Sequence, residues 1–292
     1  MNEFRGYHPA VNFIYFVSVI GFSMFLMHPI CLLISFICAI SYSALQRGGF
    51  KNKGYVFPMI IAAALINPAL NHEGVTILCY LPGGNPLTLE SIVYGLAASV
   101  MIAGVIFWFA CYNRVMSDDK FVYLFGKAIP SLSLILSMIF RFIPEFREEI
   151  KDIADAQRCL GMDVSNGSVV KRAKHGMTVI SAMITKTLEN AVDTADSMRS
   201  RGYGLPGRTS FSIFEFDKRD FSALLFIIIC ALYILAGGMS GSLYFRYFPS
   251  LKSAQTDWYG ISVFVAYAFL CFFPIFIEVK EVIRWKALRS KI

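Results

Sequence analysis

Residues 10–46 read AVNFIYFVSVIGFSMFLMHPICLLISFICAISYSALQ, with no Asp, Glu, Lys or Arg anywhere in the run. A bilayer hydrocarbon core about 30 Å thick needs about 20 apolar residues of helix, so this stretch is long enough to cross twice. The break falls at His28-Pro29, where proline disfavours helix in the residue before it and permits a tight turn. No small-residue cleavage site follows the first run, which continues at once into the second. It therefore reads as a retained span and not as a signal peptide.

Further runs of the same kind follow, and spans are expected at roughly 10–27, 29–46, 55–70, 87–111, 221–239 and 258–277. The third is short and ends in Asn67-Pro68, giving way to a loop packed against protein, since bare backbone in lipid is prohibitively costly. The whole chain agrees: 56% of residues are hydrophobic and 16% charged, and mean hydropathy is +0.58. Those values exclude most soluble folds. Acidic residues interleave with the basic ones, so the net charge of +7 suits basic internal loops and not a nucleic-acid-binding module.

Orientation follows from Lys and Arg. The 47–54 connection holds Arg47, Lys51 and Lys53, the 71–86 connection holds neither residue type, and the tail after 278 holds Lys280, Arg284, Lys286, Arg289 and Lys291. The positive-inside rule places 47–54 and both termini in the cytoplasm of a plasma-membrane protein, with 71–86 and 240–257 outside. The apolar stretch 128–143 has only about sixteen residues, short for a span, and would invert these loops if it crossed. It is expected to be a short helix buried against the others at the cytoplasmic boundary.

From Pro144 to Arg219 the composition turns to mixed charge. Ile143, Phe146, Ile150, Ile153 and Leu160 recur at helical spacing with Gln157 on the same seam. Ile180, Ile184, Thr187, Ala191 and Met198 do so further on. Both segments read as long amphipathic helices joined by a basic linker (Lys171, Arg172, Lys174). Neither strands nor a glycine-rich phosphate loop are expected here, so nucleotide chemistry is not expected of this chain. The expected fold is all-α: about six membrane helices plus two long cytoplasmic helices. Three blocks result, at 1–127, 128–219 and 220–292.

The second amphipathic helix ends in Ser200-Arg201-Gly202-Tyr203-Gly204-Leu205-Pro206-Gly207. Gly202 suits a left-handed cap and Pro206 prevents resumption. Arg199 and Arg201 crowd a helix end that is already capped, and a guanidinium fork there is also a device for gripping a partner's carboxylate.

The run Ala195-Asp196-Ser197-Met198-Arg199-Ser200-Arg201-Gly202-Tyr203-Gly204 resembles the second Ala-Arg-Gly-type motif of the T components of energy-coupling factor (ECF) transporters, the CbiQ-like family. The resemblance extends through His8-Pro9, Asn67-Pro68, Tyr80-Leu81-Pro82-Gly83-Gly84-Asn85-Pro86 and Arg141-Phe142-Ile143-Pro144 to Arg208-Thr209. It implies a coupling subunit that is not an enzyme and carries no cofactor. Its two helix tips would dock on two ATPase subunits, and a separate S component would bind the vitamin or metal ion. It assigns Ser200, Arg201 and Gly202 to one tip and Arg158, Cys159, Leu160 and Gly161 to the other. The first tip departs from the pattern: Leu160 stands where the motif has arginine, and Arg158 lies two positions earlier. Unequal tips suit an ATPase pair of two different chains.

Gly95, Ser99 and Ala103 form a small-residue stripe on the fourth span, read either as close helix packing or as a smooth surface on which an S component reorients. The seven cysteines (31, 38, 79, 111, 159, 230, 271) and the histidines His8, His28, His72 and His175 fall into no ligand spacing, so no metal site is expected. A membrane-embedded enzyme would carry ionisable groups within its spans, and Glu90 is nearly alone there. A self-sufficient secondary transporter would show internal repeats and a polar midplane site. Neither feature is seen.

Overall fold

A computed structural model describes residues 3–46, 54, 56–80, 86–126, 130–163, 165–203, 205, 214–253 and 257–289. The described chain is built from α-helices with two short hairpins. In order these are α1 (Pro9–Phe25), α2 (Pro29–Leu45), α3 (Val56–Leu70), β1 (Ile77–Tyr80), β2 (Pro86–Thr88), α4 (Leu89–Val115), α5 (Asp118–Gly126), α6 (Pro130–Cys159), α7 (Val169–Ser200), α8 (Lys218–Met239), β3 (Phe245–Arg246), β4 (Lys252–Ser253) and α9 (Trp258–Arg289). It divides into two compact units, Met1–Ser117 with Phe214–Ile292, and Asp118–Ile213.

The first unit holds the six apolar helices. The helices α4, α8 and α9 are long and apolar enough to cross a bilayer, while α1, α2 and α3 are apolar but shorter. The protein is a multi-pass membrane protein. Both His-Pro pairs start helices in the same way. The Ala10 N–H donates to His8 Nδ1 at 3.2 Å, the Ile30 N–H donates to His28 Nδ1 at 3.3 Å, and the proline takes the first helical position, where no donor is needed. These two histidines are helix caps.

One end of this unit gathers the α1–α2 connection, the start of α4 and the α8–α9 hairpin. Tyr247 donates its hydroxyl to the Met27 carbonyl at 2.7 Å, the His28 ring lies 5.5 Å from Phe245, and Tyr94 lies 5.3 Å from Tyr247. At the other end the His8 N–H donates to Asp220 Oδ1 (3.1 Å) and the Asp217 N–H to Asp220 Oδ2 (3.2 Å). The Arg219 guanidinium sits 4.4 Å over the Tyr7 ring. The N-terminus and the start of α8 are therefore tied together, opposite the hairpins, and successive apolar helices alternate in direction.

The interior is aromatic, and several of its polar atoms are paired, although Asn12 Oδ1, the Tyr42 hydroxyl, the Gln46 amide and Glu278 Oε1 are buried without a partner among the described residues. Trp108, Tyr15 and Tyr267 are fully buried. Trp108 Nε1 donates to Ser35 Oγ at 2.9 Å, Ser35 and Ser23 share a 2.6 Å hydrogen bond, and Tyr15 donates to the Cys271 carbonyl at 3.1 Å. Such pairing is needed where no water is available. Small residues set the closest approaches. A Cβ at Gly237 would lie 2.7 Å from both Val263 methyls, and one at Gly95 would lie 3.0 Å from the Ala64 carbonyl and from Asn67 Cβ.

Glu90, the lone carboxylate of the fourth span, is buried. It accepts from the Thr76 N–H (3.2 Å) and hydroxyl (2.9 Å). It therefore pins the β1–β2 hairpin to α4. Residues 81–85 lie outside the described residues.

The second unit holds α5, α6 and α7, with α5 on α6 and α6 on α7. Three corrections to the sequence reading fall here. Lys171, Arg172 and Lys174, read as a basic linker, lie within the first turns of α7, which begins at Val169 behind the Ser168 cap. The stretch 128–143 is not a separate short helix, because α6 runs unbroken from Pro130 to Cys159 with Pro144 inside it. The ring removes one hydrogen bond there, and the many on either side carry the helix through. Nor is that stretch buried: Ile135, Ile139 and Ile143 are all about half exposed. The helix α5, with Phe121 and Phe125 rings 4.6 Å apart, was not expected.

Candidate functional site

The residues singled out at 158–161 and 200–202 are the C-termini of α6 and α7. Both helices end in the same hydrogen-bonded cap. At α6 the Gly161 N–H donates to the Arg158 carbonyl (3.0 Å) and the Met162 N–H to the Gln157 carbonyl (2.9 Å). At α7 the Gly202 N–H donates to the Arg199 carbonyl (3.0 Å) and the Tyr203 N–H to the Met198 carbonyl (3.0 Å). Gly161 and Gly202 each adopt φ +79°, the left-handed conformation that glycine takes without steric cost. This paired pattern is the Schellman motif, which uses up carbonyls that a helix end otherwise leaves unpaired.

The side chains differ where the backbones agree. Arg201 precedes its glycine and is exposed. Among the described residues its guanidinium has no ion pair. Ser200 turns back to donate to the Ser197 carbonyl at 2.8 Å. On α6 the matching position is Leu160, 70% exposed, preceded by exposed Cys159. Arg158, two residues back, points its Nε at Asp163 Oδ2, 3.7 Å away. Asp163 also accepts from the Ser165 hydroxyl (2.7 Å), the Ser165 N–H (2.9 Å) and Asn166 Nδ2 (2.7 Å). These donors, the Ser165 hydroxyl foremost, hold its carboxyl below the ordinary value of 3.8;.

The two helices run antiparallel. Lys186 Nζ of α7 meets Glu149 Oε1 of α6 at 2.6 Å, and that hydrogen bond raises the lysine above its ordinary 10.5. A groove of about 510 Å³ lies between the first half of α6 (Leu134, Met138, Phe142) and the last turns of α7 (Met198, Arg199) and Tyr203. The tips thus stand at opposite ends of the pair. Counted along the axes from the ion pair, they are on the order of 35 Å apart.

Apolar side chains remain uncovered on both helices: Ile135, Ile139, Ile143 and Ile150 on α6, and Ile180, Ile184, Leu188 and Val192 on α7 are all exposed. The stripe on α4 is the reverse case. Gly95, Ser99 and Ala103 are buried, with α3 against Gly95, so within this chain they form a packing surface.

The sequence reading missed Glu149, Lys186 and Asp163. It also missed the repeated Arg-x-x-Gly spacing of Arg158–Gly161 and Arg199–Gly202, which was visible in the residues and aligns the two caps. Gly204 and 206–213, including Arg208-Thr209, lie outside the described residues.

A multi-pass, all-α membrane protein with a pair of long, antiparallel, identically capped helices is the class that this architecture defines. A family model described as cobalt transport protein (CbiQ) matches residues 7–213, and the chain belongs to that family. It is 33% identical over 107 residues to the energy-coupling factor transporter transmembrane protein EcfT of Lactobacillus helveticus (strain DPC 4571), covering 36% of this chain and 39% of that one. It is 32% identical over 108 residues to EcfT of Lactococcus lactis subsp. cremoris (strain MG1363), covering 37% and 41%. Against EcfT of Acidaminococcus fermentans the identity is 29% over 160 residues, covering 51% and 59%. The chain therefore spans about two fifths of the length of the first two relatives.

Proposed function

We propose that this chain is the transmembrane coupling subunit of an ECF-type ABC importer. It is not itself an enzyme. Two ATPase subunits seat the tips of α6 and α7 on the cytoplasmic side, and closure of the ATPase pair moves the two helices. A separate S component, which selects the vitamin or metal ion, rests on the uncovered apolar faces of α6 and α7. Both termini and 144–219 face the cytoplasm, and the two hairpins face outside.

The observation that carries this reading is the pair of identical Schellman caps, at opposite ends of one antiparallel helix pair, with exposed side chains at each apex. Capping removes the backbone demand at both ends, so the exposed Leu160 and Arg201 are not required for helix termination. Exposed apolar rows at helical spacing along both helices supply a surface suited to a partner.

Affinity purification of the tagged, full chain in mild detergent tests the reading. Two ATP-binding subunits and one small integral membrane protein should be retained in fixed proportion. Retention of neither ATP-binding chain under conditions where the tagged protein is folded would sink it. Single cysteines at Val75 and Lys174, in a background without reactive thiols, should label from opposite sides of the membrane; labelling of both from outside overturns the orientation.

A further inference from the structure

The two tips share a backbone and differ in one side chain. Aligned on Gly161 and Gly202, Gln157-Arg158-Cys159-Leu160-Gly161-Met162 falls on Met198-Arg199-Ser200-Arg201-Gly202-Tyr203, with the paired cap hydrogen bonds equal to within 0.1 Å. Arg158 therefore corresponds to Arg199 and not to Arg201. Residues two apart on a helix leave it about 200° apart, so Arg158 departs on the side opposite Leu160. It is turned onto Asp163, whose carboxylate is in turn held by Ser165 and Asn166. What stands at the α6 apex is an isobutyl group, 70% exposed, and a Cβ added at the neighbouring Gly161 would meet nothing within 4 Å. Among the described residues nothing covers it.

We infer that the two tips read different seats: α7 inserts the Arg201 guanidinium against a carboxylate, and α6 inserts Leu160 into an apolar socket on a second, different ATP-binding chain. This rests on the coupling reading above and adds the chemistry of each contact. The physical consequence is a difference in salt response. Opposite charges attract across water before they meet, and that attraction is screened as ionic strength rises, whereas an apolar contact is not weakened by it. An arginine placed in the α6 socket would bury an unpaired charge, which costs far more than the leucine gains.

The test uses the tagged full chain in detergent with the ATP-binding subunits that co-purify with it, separated and quantified by mass spectrometry at low and high salt. Expected for Leu160→Arg is loss of one ATP-binding chain by about tenfold or more at either salt, with the other retained. Leu160→Met, which keeps apolar volume, retains both chains. Arg201→Ala releases the other chain, and high salt alone weakens that same contact in the unaltered protein. Retention of both chains by Leu160→Arg overturns the inference while leaving the coupling reading intact. So does release by Arg158→Ala of the chain that Leu160→Arg was to release, because Arg158 would then be the reader. A single kind of ATP-binding chain in the complex overturns it too. Retention of no ATP-binding chain by the unaltered protein removes the coupling reading and the inference with it. Leu160 lies exposed at a helix end, so neither substitution at it disturbs packing.

Discussion

The two units of this protein solve opposite problems. In the unit formed by 1–117 and 214–292, a large apolar core is buried within the chain, and several polar side chains at it find partners there: Asp220 with the backbone of His8 and Asp217, Trp108 with Ser35, and Glu90 with Thr76. In the unit formed by 118–213, Lys120, Glu149 and Val179 are the buried residues among those described, while long apolar rows lie open. A helix of about thirty residues whose apolar face is bare gains little from its own chain. The first unit packs its core against itself, and the second leaves its apolar rows open. Substitutions should sort accordingly, with those in the second unit changing association without changing the melting of the first.

The largest effect is expected at Arg201. Truncating one partner of a buried charge pair costs about 2–5 kcal/mol, so Arg201→Ala should lose association with an ATP-binding chain, and uptake, at matched membrane expression. Arg158→Ala should lose much less, and Arg201→Lys should recover only part, because a point charge cannot reproduce the planar fork. Thermal unfolding of the purified chain should be unchanged by all three. A depressed melting temperature for Arg201→Ala would erase the distinction between the units.

Next in size is Asp220→Ala, which removes a buried acceptor from two backbone N–H groups and should destabilise the first unit by about 2–4 kcal/mol. Fluorescence-detected thermal unfolding reads this directly. Binding of ATP-binding chains by the surviving folded fraction should be normal. Smaller again is Gly237→Ala, whose new methyl meets the Val263 side chain at 2.7 Å; overpacking of this kind costs about 1–3 kcal/mol. An unchanged melt would mean that α8 and α9 can part without penalty.

The smallest is Glu149→Gln, which deletes the ion pair with exposed Lys186. Amide exchange in the middle of α6 and α7 should quicken, with no change in the first unit. The lysine's elevated value gives the sign with pH. The pair's contribution is complete below the ordinary 10.5 and fades as pH rises through the higher folded value. Exchange that is equally fast at neutral pH in both proteins would show that the pair ties nothing.

Much of this was legible in the residues, for identifiable reasons. The six spans drawn from apolar runs match α1–α4, α8 and α9 closely, because a membrane helix is specified by local composition. The amphipathic periods found both long helices of the second unit. What escaped depends on partners distant in sequence or on competing local rules. Asp220 meets His8 across 212 positions, and no local pattern announces it. Pro144 reads as a helix boundary, yet the turns on either side outweigh one missing bond. The β1–β2 and β3–β4 hairpins are too short to carry a period. At the α6 tip, Leu160 stands where the motif has arginine, and the correspondence of Arg158 with Arg199 follows from two glycines that cap alike.

The Glu149–Lys186 tie has a mechanical meaning. It lies unequally along the two helices: on α6 about 15 Å from the tip and about 29 Å from Pro130, on α7 about 21 Å from the tip and about 26 Å from Val169. A stiff rod held at one point is a lever, and its throw scales with the ratio of its arms. Turning about this fulcrum, α6 would multiply a displacement at its leucine-tipped end roughly twofold, while α7 would pass its own on nearly one to one. Equal displacements at the two tips would then swing one rod about one and a half times as far as the other, and whatever rests across both would be tipped as well as pushed.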